Sequence, residues 1–290
     1  MDENYKKISK KDWLVLIALG LTIVLTFFIK QADGKLHAYF LDVGQGDAIF
    51  VETPSGKQIL VDGGPDETIL QRLGEVMPFY DRTIDLTINT HPDADHLAGL
   101  LSVLEKYKVL TIAETGMVCE TSLCAEWKNL KAGEGADLFN LILGQEISIG
   151  DDARFLVLHP FEDEAGKTFS KRNNGGIVLK LVFGAQSVLL TGDIEKQIEN
   201  KLVLARVNID SDFLKIAHHG SKTASTEKFI EKVSPLTAFI EVGRNNKYGH
   251  PTEEVLKRLA DFKIPYYRTD IDGTVELVLD GQSYKITKLK

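Results

Sequence analysis

Cysteine is scarce in this chain: Cys119 and Cys124 are the only two among 290 residues. They lie close together in a polar stretch without neighbouring histidines. That argues against a cysteine metal site and leaves a local disulfide outside the cytoplasm open. Basic charge is also short, with 34 Lys and Arg against 42 Asp and Glu. Residues 1–30 hold five lysines and three acids, so the remainder carries 29 basic and 39 acidic residues, net −10. Such a balance excludes a dedicated nucleic-acid-binding surface. It does not exclude a nuclease, because bound divalent ions offset carboxylate charge where a phosphate must sit. Neither an internal repeat nor a low-complexity tract is present, so a repeat array is not expected.

One apolar run stands out. Trp13 to Ile29 contains no charge and follows Lys6, Lys7, Lys10 and Lys11. Its 17 residues sit at the short end of a membrane span. No small-x-small cleavage site follows it, which disfavours a removable signal peptide. The expectation is a transmembrane anchor in residues 1–30. The basic flank places the N-terminus in the cytoplasm and residues 31–290, a single catalytic domain, outside it.

Beyond the run, Leu36–Phe40, Ala48–Val51 and Gln58–Val61 read as short strands joined by Gly-rich turns. Helical and strand patterns then alternate, with a strand at Ile84–Asn89 and a helix at His96–Tyr107. Residues 115–142 fit no pattern and read as an insertion. In the second half, strands are expected at Gln145–Ile149, Arg154–Leu158, Ile177–Phe183, Ser187–Thr191 and Phe213–Ala217, and a helix at Thr226–Val233. The count and order suit two mixed sheets with helices outside, in the α/β (α+β) class.

The densest chemistry lies at Thr90-His91-Pro92-Asp93-Ala94-Asp95-His96, four ligand-type side chains in a strand-to-helix loop. A helix start capped by one aspartate would leave two histidines and a second carboxylate unexplained. Two further strand ends carry ligand-type residues: Asp193 in Leu190-Thr191-Gly192-Asp193, and His218 and His219 in His218-His219-Gly220-Ser221. Strand ends are where such folds carry their sites. Four of the seven histidines fall in these loops.

These motifs resemble the metallo-β-lactamase superfamily, whose first motif is His-x-His-x-Asp-His. The resemblance is closest to the hydrolase domain of the ComEC/Rec2 competence proteins. It is carried further by Phe40 to Ala48 (FLDVGQGDA), Val61-Asp62-Gly63-Gly64 and Asn246-Lys247-Tyr248-Gly249-His250-Pro251, and it runs from about Lys35 to the C-terminus. It implies an αββα sandwich and two divalent ions, Zn²⁺ or Mn²⁺. Two departures are visible. Asp93 stands where the superfamily has its second histidine, and Asn173-Asn174 stand roughly where another is usual, with His159 an upstream candidate for that ligand. Oxygen in place of imidazole makes a harder site that tolerates Mn²⁺. The other departure is a single apolar run with no polytopic channel, so DNA uptake by this chain alone is not implied.

The expected ligand set is His91, Asp93, Asp95, His96, Asp193 and His218, with Asp193 bridging two ions and Asp95 also placed among the catalytic groups. His219, His250 and Ser221 are candidates for donating protons or binding a phosphate oxygen. Asp62 is a candidate for orienting a ligand histidine, and Asp47, Asn173 and Asn174 for lining the site. The chemistry expected is hydrolysis of phosphodiesters, DNA foremost, by water activated at neutral pH. Rival readings are a phosphodiesterase for cell-wall phosphocholine or another small ester, and a non-catalytic partner in a competence or surface complex.

Overall fold

The computed structural model describes residues 9–28 and 33–289. The elements in chain order are α1 (Lys10–Phe28), β1 (Leu36–Phe40), β2 (Ile49–Glu52), β3 (Gln58–Val61), α2 (Thr68–Val76), β4 (Thr83–Ile88), α3 (Ala94–Lys106) and β5 (Lys108–Glu114). They continue with α4 (Ser122–Glu134), β6 (Asp137–Asn140), β7 (Glu146–Gly150), β8 (Ala153–His159), β9 (Val178–Phe183), β10 (Gln186–Leu190), α5 (Lys196–Leu204) and β11 (Phe213–Lys215). The chain ends with α6 (Glu227–Val233), β12 (Thr237–Ile240), α7 (Glu253–Asp261), β13 (Tyr266–Arg268), α8 (Thr269–Asp272), β14 (Thr274–Leu279) and β15 (Tyr284–Leu289). It divides into two compact units, one carrying α1 and ending at Asp33, the other beginning at Gly34.

The second unit holds two sheets. One runs β15-β14-β1-β2-β3-β4-β5-β6, the other β13-β12-β11-β10-β9-β8-β7. Period-two alternation builds the layers. Leu36, Ala38 and Phe40 of β1 and Phe155 and Val157 of β8 pack in the cluster between the sheets. Tyr39 and Phe50 turn outward onto Leu73 of α2, Leu100 of α3 and Trp127 of α4. Val178, Leu189 and Leu214 turn outward from the other sheet onto Ile198 of α5, Phe229 of α6 and Val255 of α7. The result is the expected αββα sandwich. β3, β4, β5 and β6 run parallel, as do β10, β11, β12 and β13. The C-terminal ends of β3, β4, β10, β11 and β12 therefore carry the loops that meet in the site.

Two expectations are corrected. The anchor run falls in α1, but Lys10, Lys11 and Asp12 occupy the first turn, leaving sixteen apolar-run residues to Phe28 against the ~20 a span needs. Among the described residues no helix is long and apolar enough to cross a membrane. The expected transmembrane helix is thus not supported, while Ile29, Lys6 and Lys7 lie outside the described residues. Residues 115–142 are not a patternless insertion: they contain α4 and β6, the latter paired parallel to β5 at the sheet edge. Lys108–Glu114, unassigned in the sequence, is the central partner of both β4 and β6.

Candidate metal centre

The loop after β4 is pinned before it presents any ligand. The Asp62 carboxylate accepts from the Thr90 backbone N–H and hydroxyl, both at 2.7 Å, and meets His96 Nδ1 at 2.8 Å. Asp62 itself sits in the left-handed region at φ 59°. Helix α3 approaches this turn so closely that a Cβ on Gly99 would lie 1.9 Å from the Gly63 carbonyl, so only glycine lets His96 reach Asp62. On the other sheet, His218 and His219 are consecutive left-handed residues, φ 51° and 52°. Such strain in non-glycine residues persists where the surroundings over-determine it, typically at functional sites.

Asp95, His96, Asp193 and His219 place one potential ligand atom each within 4.8 Å of one another. His96 Nε2 is 3.4 Å and His219 Nε2 3.3 Å from Asp193 Oδ2, and His219 Nε2 is 3.4 Å from Asp95 Oδ2. The far nitrogens are spoken for. Asp62 faces His96 Nδ1, and His219 Nδ1 donates to the Glu241 carbonyl at 2.9 Å. Each ring thus turns its Nε2 towards Asp193, the nitrogen left to bind a metal once its proton is displaced. His91 Nε2, His96 Nε2, His219 Nε2 and Asp193 Oδ1 are buried without a hydrogen-bond partner. Unpaired buried polar atoms are costly, and a divalent cation satisfies this group of imidazoles and carboxylates. The residues fit a metal.

The electrostatics agree. Burial pushes the His96 and His219 pKa values down, but Asp193 and Asp47, joined at His96 by Asp62, outweigh it and hold both well above the usual histidine range. Burial likewise works against the ionised Asp193 and Asp95, yet His219 and His96 hold both carboxyls below their ordinary value. Two imidazoliums stand in for cationic charge, and metal binding displaces their protons.

The structure places the other expected residues as follows. His218, partly buried, reaches 3.8 Å from Asp193 Oδ2 but lies outside the gathered four, which include His219 instead. His91 Nε2 lies 3.8 Å from Asp93 Oδ2, and its ring is 4.1 Å from that of His96. Burial and the neighbouring His96 push His91 down to about 4. Asp93 occupies the N-cap position of α3 without capping it; its carboxylate instead accepts from Arg172 Nε at 2.6 Å. His250 stands beside His218 and His219, and burial together with His219 pushes it down to about 4. Ser221 closes a turn with Thr223, accepting from its N–H at 3.3 Å, and does not line the cavity. Asn173 lines the cavity. Asn174 turns aside: its carbonyl accepts from His159 Nε2 at 3.0 Å, and neither residue joins the cluster.

Several site residues had no role in the sequence reading. Lys215 is fully buried and pairs with Asp47, while Nζ donates to the Gly192 carbonyl at 3.1 Å. Glu241, also fully buried, accepts from the Ala48 N–H at 2.9 Å. Burial and Asp47 raise the Glu241 pKa well above the usual range, favouring its neutral form. The signal was present: Lys215 and Glu241 each follow an inward Phe, Phe213 and Phe239, by two positions. Cys119 and Cys124 form a disulfide, each Sγ 3.9 Å from the Pro92 carbonyl, and Arg172 Nη1 lies 3.6 Å from Cys119 Sγ. The cluster opens into a cavity of about 640 Å³, lined among others by Gln45, Lys171, Arg172, Tyr248 and His250.

Comparisons agree with this architecture. The chain is 33% identical over 294 aligned residues to the ComE operon protein 3 of Bacillus subtilis, covering 93% of this chain and 37% of that protein. It is 30% identical over 269 to the Recombination protein 2 of Haemophilus influenzae, covering 90% and 31%. It therefore spans about a third of the length of these relatives. Among solved structures, the metallo-beta-lactamase fold protein YhfI of Bacillus subtilis superposes with a TM-score of 0.54 at 11% identity, over 81% of this chain and 97% of that one. Residues 41–243 match the Metallo-beta-lactamase superfamily. With that match covering most of its length, the chain belongs to the metallo-beta-lactamase superfamily and is ComEC/Rec2-like within it.

Proposed function

We propose that the second unit is a metal-dependent phosphodiesterase that cuts DNA outside the cytoplasm. The observation that carries the reading is the convergence of His96 Nε2 and His219 Nε2 on Asp193 beside Asp95. Asp95, His96, Asp193 and His219 would hold one ion, and His91 and Asp93, beside them, would help to hold a second. When bound, the ions supply a Lewis acid for a phosphoryl oxygen and a water acidic enough to attack at neutral pH. Asp62 and the Glu241 carbonyl would orient the two histidines as ligands, and His250, beside His219, is placed to exchange a proton with the substrate or its leaving group. Oxygen donors at positions 93 and 193 suit Mn²⁺ as well as Zn²⁺. The relatives named for recombination and the ComE operon favour DNA as substrate, and the disulfide favours an oxidising compartment.

The test is Asp193→Ala in the full chain. Bound Mn²⁺ or Zn²⁺, measured by elemental analysis, and cleavage of DNA and of a chromogenic phosphodiester should both fall to near background while the circular dichroism spectrum is kept. Full metal occupancy in the variant would sink the reading.

A further inference from the structure

Tyr248 is more than half exposed at the cavity wall, at 55%. Its ring lies near-parallel to that of His250, centroids 5.8 Å apart at 23°, and His250 in turn lies 6.5 Å and 27° from His219. Three rings thus step from solvent to a residue of the metal cluster. The loop is built to hold the outermost ring. Asn246 Oδ1 accepts from the Tyr248 N–H at 3.2 Å and the His250 N–H at 3.0 Å, while its Nδ2 donates to the carbonyls of Gly243 and His250 at 3.0 and 2.7 Å. Lys247 Nζ lies over the Tyr248 ring, 5.2 Å from its centroid, on a flexible side chain that an incoming base can displace.

We propose that Tyr248 is the stacking platform for a nucleobase next to the scissile phosphate, with Lys247 beside it for the strand's backbone. The proposal rests on the phosphodiesterase reading and narrows its substrate. A flat, exposed, pre-ordered ring in line with the cluster is the form of surface on which bases of a single strand stack. Lys247 decides between occupants. A quaternary ammonium such as choline, otherwise suited to an aromatic face, would meet a like charge here, whereas a polyanionic strand gains an attraction.

The experiment measures binding of a ten-nucleotide phosphorothioate oligothymidylate and of an abasic backbone of equal length to the metal-loaded full chain, by fluorescence anisotropy. Wild type should prefer the thymidylate by about 5- to 150-fold, the range that one stacked base gives. Tyr248→Ala should bind both alike, and Tyr248→Trp should keep the preference, with unchanged metal content excluding misfolding. An absence of base preference in wild type, its persistence in Tyr248→Ala, or tighter binding of a phosphocholine ester overturns the platform. Cleavage of unmodified oligonucleotide is read separately. Base preference without cleavage supports the platform and sinks the hydrolase reading; cleavage without base preference overturns the platform alone.

Discussion

His96 and His219 face the same Asp193 oxygen from opposite sheets, 3.4 and 3.3 Å away, yet they are held by different chemistry. His96 leans on a carboxylate, Asp62, which also ties down the Thr90 end of its own loop. His219 leans on a backbone carbonyl, Glu241 O, above a fully buried layer in which Lys215 pairs with Asp47. One half is a side-chain clasp within a single loop and the turn before it. The other is assembled from residues 47, 215, 219 and 241, brought together only by the packing of two sheets. A carboxylate can be changed by substitution and a backbone carbonyl cannot, so the two halves should fail in different ways: the first by losing ligand orientation, the second by losing stability.

The largest effect should come from the second half. Lys215→Met leaves Asp47 buried without its cation, and removing one member of a buried pair costs about 3–5 kcal/mol. Urea unfolding should show that loss, and adding Asp47→Asn should restore part of it, because both charges are then gone. A loss below about 1 kcal/mol in Lys215→Met would mean that the pair does not support this half.

His159 sharpens the contrast. Its Nε2 also donates to a backbone carbonyl, that of Asn174, but no carboxylate faces it, and burial pushes its pKa down to about 4. Opposite shifts in His159 and His219, with the same kind of partner, locate the cause of the raised value in Asp193 and Asp47. The pH consequence follows from the sign. A histidine whose folded pKa lies below its unfolded ~6.5 contributes stability that is complete above pH 6.5 and lost as pH falls towards 4, up to about 3 kcal/mol for this nearly buried ring. His159→Gln should remove that loss. Urea unfolding at pH 7 and pH 4.5 should therefore show a smaller decline in the variant than in wild type, and parallel declines would refute the assignment.

The same division explains what was legible. The first half lay open in the sequence because its parts are contiguous: His91, Asp93, Asp95 and His96 in six residues, with Asp62 in a Gly-rich turn. Alternation in β1, β3 and β9 placed those strands within a residue or two of their observed ends, because each has an apolar inward face. β5 was hidden because Lys108-Val-Leu-Thr-Ile-Ala-Glu114 carries polar residues at both ends, and α4 because its exposed faces outweigh its buried Cys124 and Trp127. Choosing between His218 and His219 required the backbone, since two adjacent left-handed residues point neighbouring rings in directions that no spacing rule gives. Lys215 and Glu241 were passed over because a charged residue at a strand end normally marks the surface. Arg172, which occupies Asp93, sits 79 residues from its partner.

The smallest effect on stability, and the most pointed on chemistry, should come from Asp62→Asn. The amide oxygen still accepts from the Thr90 N–H, so the loop stays tied. The amide nitrogen, however, is a donor, and facing His96 Nδ1 it favours the tautomer with hydrogen on Nε2. That hydrogen then points at Asp193, where a lone pair is needed for a metal. Loss of such an orienting partner typically costs 10–100-fold in metal affinity. Competition against a chelating dye should therefore show weaker Mn²⁺ or Zn²⁺ binding in that range, with unfolding free energy changed by less than about 1 kcal/mol. ¹⁵N shifts of the His96 ring in the metal-free protein should report hydrogen on both nitrogens in wild type and on Nε2 alone in the variant, while those of His219 stay unchanged, since the Glu241 carbonyl accepts in both proteins. Metal binding at wild-type strength with unmoved His96 shifts would show that Asp62 ties the loop but does not orient the ligand.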